Sequence, residues 1–250
     1  MAVSITLREV PPSMDSRHGL VREEFPVSEA RLVDFYRQLP RLHSSDDPDL
    51  WAARMHDALR VYRHQLLNHY AEGTLQRLLA NPDSEIRRAA VLALGLIGTM
   101  DSNAALARVL HDEDSTPARM AADALWQLWF RGGTEEQNAD LQRIMHLPDF
   151  LEILAGLDEL IREAPHFAEV YNQRAILFFR RGEFSRSIAD CQKAIELNPY
   201  HFGAQAGMGQ CYLKLRKQRA ALRAFRLALQ TNPTMTQLGD TIQSLERSGD

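Results

Sequence analysis

AEVYNQRAILFFRRGEFSRSIADCQKAIELNP, residues 168–199, and FGAQAGMGQCYLKLRKQRAALRAFRLALQTNP, residues 202–233, are the stretches that decide the fold. They stand 34 residues apart, and Pro165, Pro199 and Pro233 each end a predicted helix at that interval. A proline removes a backbone donor and clashes with the preceding turn, so a proline at a constant interval ends the same element in each copy. A fixed period of this length marks a supersecondary unit that buries its apolar face only by stacking on its neighbours.

Counted from Ala168, positions 4, 8, 11, 17, 27 and 32 hold Tyr171, Ala175, Phe178, Phe184, Ala194 and Pro199. Counted from Phe202, positions 8, 11, 20, 24, 27 and 32 hold Gly209, Tyr212, Ala221, Phe225, Ala228 and Pro233. This pattern resembles the tetratricopeptide repeat, which implies two antiparallel helices per unit. The second copy departs from it with Gln205 at position 4, and with LRKQR where the first copy has the glycine-containing turn RRGEF. A helix over Asp149–Ala164 fits the second half of an earlier repeat, with Phe150, Leu154, Leu157 and Ile161 at helical spacing. After Pro233, Met235, Leu238, Ile242 and Leu245 share one face of a capping helix.

Further towards the N-terminus the period changes to 31. Leu75 pairs with Leu106, Asp83 with Asp114, Arg88 with Arg119, Ala90 with Ala121 and Leu94 with Leu125. Each unit reads as helix, polar turn, helix; Ser115 or Thr116 caps the last helix and Pro117 sits in its first turn. Through Asp83, Ile86, Arg87, Ala89, Ala90, Ala93, Leu94, Gly95 and Gly98 the first copy resembles HEAT repeats of the short, phycobilisome-lyase-like kind. The second copy has Trp126 and Trp129 where the first has Gly95 and Gly98. Before these units, Trp51, Met55, Leu59, Tyr62 and Leu66 line one face of a long helix introduced by Asp47 and Pro48. A short helix over Ser28–Leu39 precedes it, and residues 1–27 read as extended or flexible.

The expected fold is therefore all-α, an α-solenoid (a right-handed superhelix) of HEAT-like hairpins continuing into tetratricopeptide hairpins. It comprises an N-terminal arm over 1–47, a HEAT-like segment over 48–147 and a tetratricopeptide segment over 148–250 with full repeats at 168–201 and 202–235.

Gly203, Gly207 and Gly209 fall inside one of these helices, where each costs roughly 1 kcal/mol relative to alanine. The tetratricopeptide resemblance gives Gly209 a packing role, since position 8 takes a small residue. It also implies that positions 2, 5, 9, 12 and 13 of each repeat line a concave groove. Those positions are Glu169, Asn172, Ile176, Phe179 and Arg180, then Gly203, Ala206, Gln210, Leu213 and Lys214, with Gly207 beside them. Two readings of Gly203 and Gly207 follow: close approach of a partner's backbone in a narrow groove, or relief of crowding against the helix Asp149–Ala164 or a neighbouring repeat. The groove reading supplies polar groups for a partner's backbone, apolar contacts from Phe179 and Leu213, and cations for a carboxylate. Asn172 and Ile176 do not provide the basic residue and asparagine with which the family's carboxylate-clamp members read chaperone termini.

ALWQLWF, residues 124–130, is apolar nearly all round. Trp126, Trp129 and Phe130 there form either a packed junction or a secondary surface for a partner. No His-Glu dipeptide of the kind that holds iron in HEAT-like hydroxylases is present, and RGGTEEQ lacks the lysine and hydroxyl of a phosphate loop. No catalytic residue, metal site or cofactor is expected. Cys191 and Cys211 lie at helical packing positions and are expected to be reduced. The basic segment 214–226 lacks interleaved aromatics, and the net charge of −4 argues against a general nucleic-acid binder.

No run of about 18 apolar residues is present to span a membrane, and the first residues lack the apolar centre of a secretory signal, so a cytoplasmic protein is expected. The expected function is a non-enzymatic adaptor or scaffold that binds a peptide or helix of another protein in the tetratricopeptide groove. The alternatives are a HEAT-type enzyme or chromophore-lyase subunit with its site in residues 50–148, and RNA or acidic-partner binding through residues 214–226.

Overall fold

The computed structural model describes residues 27–41, 43 and 46–248, so the expectation for residues 1–26 lies outside the described residues. Those described form thirteen α-helices and no strand. They divide into two compact units, Met1–Ile97 and Gly98–Asp250.

The first unit holds α1 (Val27–Arg37), α2 (Pro48–His69), α3 (Glu72–Leu78) and α4 (Ser84–Ile97). Asp47 caps α2 by accepting from the backbone N–H of Asp49 and Leu50, with Pro48 at the first helical position where no donor is missed. Met55, Tyr62 and Leu66 of α2 are buried, and the Tyr62 hydroxyl donates to the Ala89 carbonyl of α4. On α4, every residue from Ala89 to Gly95 is buried, which requires a helix apolar on several sides. The turn before it is built from polar side chains. Asn81 Oδ1 accepts from Asp83 N–H, Asp83 Oδ1 accepts from Glu85 N–H, and the Arg87 guanidinium donates to the carbonyls of Asn81 and Pro82. Arg37 joins α1 to α4 through a two-pronged bond to Glu85, which holds that carboxyl below its ordinary pKa.

The second unit holds α5 (Asn103–Val109), α6 (Ser115–Trp129), α7 (Glu135–Met145), α8 (Phe150–Glu163), α9 (Ala168–Arg180), α10 (Phe184–Leu197), α11 (Phe202–Lys214), α12 (Gln218–Thr231) and α13 (Thr236–Ser248). The turn before α6 copies the one before α4: Asp112 accepts from Asp114 N–H, and Asp114 accepts from Thr116 N–H. The α6 cap is thus Asp114, not Ser115 or Thr116, because the carboxylate one residue earlier already reaches the orphan amide. Thr134 and Gln137 form a reciprocal capping box at the start of α7.

From α7 onward each helix packs on the one that follows it. Leu141 and Ile144 of α7, Leu157 and Leu160 of α8, and Phe167, Val170 and Leu177 around α9 make one core. Ala221, Phe225 and Ala228 of α12 with Leu238 and Ile242 of α13 make another, so α13 packs on the last helix of the second hairpin. The two repeat turns solve one geometric problem differently. Gly182 ends the first hairpin's leading helix at φ +76°, and Arg216, 34 residues later, takes φ +57° in the second. A left-handed conformation is free for glycine and costs a side-chain-bearing residue roughly 1–2 kcal/mol.

Arg174 of α9 fastens three successive helices. It donates to both carboxylate oxygens of Asp190 on α10 at 2.8 Å and to Asp158 on α8 at 2.6 Å. Two carboxylates around one guanidinium raise its pKa still further above the ordinary arginine value.

Candidate partner groove

Five residues on α9 and five on α11 recur at the 3.6-residue period and present one face of each helix. The structure divides that face into a closed part and an open part.

The closed part lies at the helix N-termini. Trp126 and Trp129 of α6 reach His201 and Phe202, the residues that begin α11. The Trp129 ring stacks on the His201 imidazole at 4.2 Å, and Trp126 meets His201 and Phe202 edge-on at 5.6 Å. Polar groups hold this aromatic cluster in place. The Trp129 indole donates to Asn103 Oδ1 at 2.8 Å, and Asn103 Nδ2 donates to Asn198 Oδ1 at 2.9 Å. Ala204 N–H donates to His201 Nδ1, so Nε2 carries the ring hydrogen and donates to Glu169 Oε2 at 2.9 Å. The other Glu169 oxygen accepts from the side chains of Asn172 and Gln173. Glu169, Asn172 and His201 are consequently at most 2% exposed, and Trp129 is 1% exposed.

This arrangement accounts for two of the three glycines. A Cβ on Gly203 would lie 2.3 Å from the tip of the Trp126 indole, and one on Gly209 would lie 2.4 Å from the Phe225 ring. Neither distance is compatible with a real methyl group. Gly207 is different: a Cβ there would meet only Cys191 Sγ at 3.6 Å, an ordinary contact. Of the two sources of crowding open from the sequence, a neighbouring repeat, through α6, and not the Asp149–Ala164 helix, crowds Gly203. Trp126 is the residue that sequence reasoning did not connect to this face.

The open part lies toward the helix C-termini. Ile176 is 37% exposed, Arg180, Gln210 and Lys214 are exposed, and Phe179, Ala206 and Leu213 are half-buried. Phe179 is braced edge-on by Phe184 at 5.6 Å. Arg180 and Lys214 sit in the last turns of their helices, where unpaired carbonyls favour a cation. The face therefore offers three apolar anchors, Ile176, Phe179 and Leu213, with an exposed amide and two positive charges. Phe130 lies outside it, packed on the core of α7, α8 and α9.

Among the described residues, no group of three or more His, Cys, Asp or Glu side chains is arranged to hold a metal ion, and no helix is long and apolar enough to cross a membrane. Cys191 and Cys211 are free and buried. Burial pushes the Cys191 thiol up to about 12 and raises Cys211, and Cys211 donates to Ser187 Oγ. Neither thiol is an activated nucleophile at neutral pH.

Known proteins match two segments of the chain. The family model of HEAT repeats matches residues 39–153, and that of the tetratricopeptide repeat matches residues 168–201. A tetratricopeptide-repeat-containing protein of Rhizobium etli is 34% identical over 77 residues, which are 31% of this chain and 38% of that protein. The WD and tetratricopeptide repeats protein 1 of mouse is 34% identical over 67 residues, 26% of this chain and 10% of that protein. This chain thus spans well under half of the relatives it matches. Among solved structures, the first tetratricopeptide domain of Spaghetti (RPAP3) bound to an HSP90 peptide aligns with a TM-score of 0.39 and 18% identity, over 46% of this chain and 87% of that one. The TPR2AB domain of yeast Sti1 in its pHSP90 complex aligns with a TM-score of 0.37 and 16% identity, over 88% and 95%. The chain is all-helical among its described residues, with a segment that matches HEAT repeats followed by one that matches a tetratricopeptide repeat.

Proposed function

We propose that the protein is a non-enzymatic adaptor whose open groove on α9 and α11 holds a short segment of another protein. The observation that carries this reading is the row of exposed Ile176 and Gln210 with half-buried Phe179 and Leu213, beside Arg180 and Lys214, on two adjacent packed helices. Apolar side chains left half-exposed on a rigid scaffold, beside uncommitted polar groups, favour a partner that brings an apolar anchor and a carboxylate. Glu169, Asn172 and Gly203 belong to the groove's frame, since contacts inside the chain already satisfy them. The bound segment is accordingly short, running from Ala206 and Ile176 toward Arg180 and Lys214.

The test is affinity capture from cell lysate with wild type and Ala206→Arg, after circular dichroism shows equal helix content. The reading expects specific proteins to be lost with the variant. Identical capture by both would refute it.

A further inference from the structure

We propose that the opposite face of α11 carries a second docking surface, for an acidic amphipathic segment of a partner protein. Met208 and Tyr212 each stand two residues from Gln210, about half a turn around α11, so they face away from that groove residue. There a cleft of about 280 Å³ opens between α10 and α12, floored by Ile195, Met208, Tyr212 and Ala224 and edged by Leu227 and Arg223. Leu227 is 40% exposed, an apolar rim that no helix of the chain covers among the described residues.

Charge identifies the occupant. Helix α12 contains no acidic residue; Arg219, Arg223 and Arg226 follow one another along one face, with Lys217 at the cap and Arg216 in the turn before it. Arg226 is paired with Glu246 of α13, whereas Arg216, Lys217, Arg219 and Arg223 lie on no carboxylate among the described residues. Like charges four residues apart repel, and cations at a helix N-terminus oppose its dipole. The chain bears these unfavourable terms beside an apolar cleft, and an acidic partner reverses their sign. A protein segment fits better than RNA: no exposed aromatic platform accompanies the arginines, and the chain's overall charge is negative. A leucine-like side chain enters beside Leu227, with carboxylates over Arg219 and Arg223.

The test uses fluorescence anisotropy of the full chain with a labelled synthetic helical peptide bearing leucine on one face and glutamate beside it. Its companions have glutamine for glutamate or alanine for leucine, and a labelled oligouridylate serves as the nucleic-acid probe. The proposal expects saturable binding of the Leu/Glu peptide, weakened by about tenfold or more by Arg219→Glu with Arg223→Glu and by Leu227→Asp, and unchanged by Ile176→Asp in the groove. Either companion peptide binds more weakly. All four substituted side chains are at least partly exposed, and circular dichroism verifies the fold of each variant. Absence of saturable peptide binding, equal binding of the glutamine peptide, indifference to both variants, or tighter oligouridylate binding with the same sensitivity would each overturn it. Because Ile176 stands exposed on α9 and is no part of the α12 core, failure here and failure of the groove are read separately.

Discussion

Adding one methyl group at Gly203 and one at Gly207 should have opposite consequences, although both residues lie in the same helix. Replacing glycine by alanine in a helix interior gains about 1 kcal/mol, because the unfolded chain loses freedom and the helix gains propensity. At Gly207 nothing opposes that gain, since the new Cβ would sit 3.6 Å from Cys191 Sγ. At Gly203 the Cβ would lie 2.3 Å and 2.7 Å from two carbons of the Trp126 ring, so the indole must move by more than an ångström. It has little room, being wedged against Trp129, His201 and Phe202. Overpacking of this kind costs about 1–3 kcal/mol, which cancels or exceeds the propensity gain. Urea unfolding followed by circular dichroism should place Gly203→Ala about 1–3 kcal/mol below Gly207→Ala. In a cycle with Trp126→Ala the penalty at Gly203 should disappear, giving a coupling energy of about 1–3 kcal/mol, whereas Gly207 and Trp126 should be additive. If Gly203→Ala stabilises the protein as much as Gly207→Ala, α6 does not close the groove and the explanation of the glycine is wrong.

Other perturbations follow from single contacts. Arg216→Gly relieves a left-handed backbone and should stabilise the protein by about 0.5–1 kcal/mol in the same assay, with no change in cooperativity. Arg174→Met strands the buried Asp190 carboxylate and should cost about 2–4 kcal/mol, partly recovered by adding Asp190→Asn. The depressed Glu85 pKa makes the Arg37 pair a stabilising term above the ordinary glutamate pKa that fades as pH falls through the folded value. Arg37→Ala should therefore lower stability by less than about 1 kcal/mol at neutral pH and by progressively less in acid. Both thiols should resist thiol reagents at neutral pH in the native state and react on unfolding, as read by absorbance of the released chromophore.

Much of this architecture is legible in one sequence because repetition makes each copy a control for the other. Pro165, Pro199 and Pro233 locate helix ends, and the equivalence of Asp83 and Asp114 locates the turns that begin α4 and α6. The same comparison marks Arg216 as the counterpart of Gly182, which is where the backbone is forced into the left-handed region. What repetition hides is contact between unlike units. Trp126 and Gly203 are 77 positions apart and belong to different repeat types, so no period relates them, yet one exists in the shape of the other. The apolar surround of ALWQLWF signals burial but carries no address. Nor does spacing reveal that Glu169, at a position expected to face a groove, would be satisfied by Asn172, Gln173 and His201. A helical face predicted from periodicity tells which residues point together, and the neighbouring element decides how much of that face remains open.

The central claim, a groove closed at its start by α6 and open at Ile176 and Phe179 to a partner segment, is tested most directly by photo-crosslinking. A photoreactive amino acid placed at position 176 in the full chain should cross-link a distinct partner protein in cells, and Ala206→Arg should abolish that product. A cross-link at position 176 that forms only within the chain, or one that persists with Ala206→Arg, would contradict it.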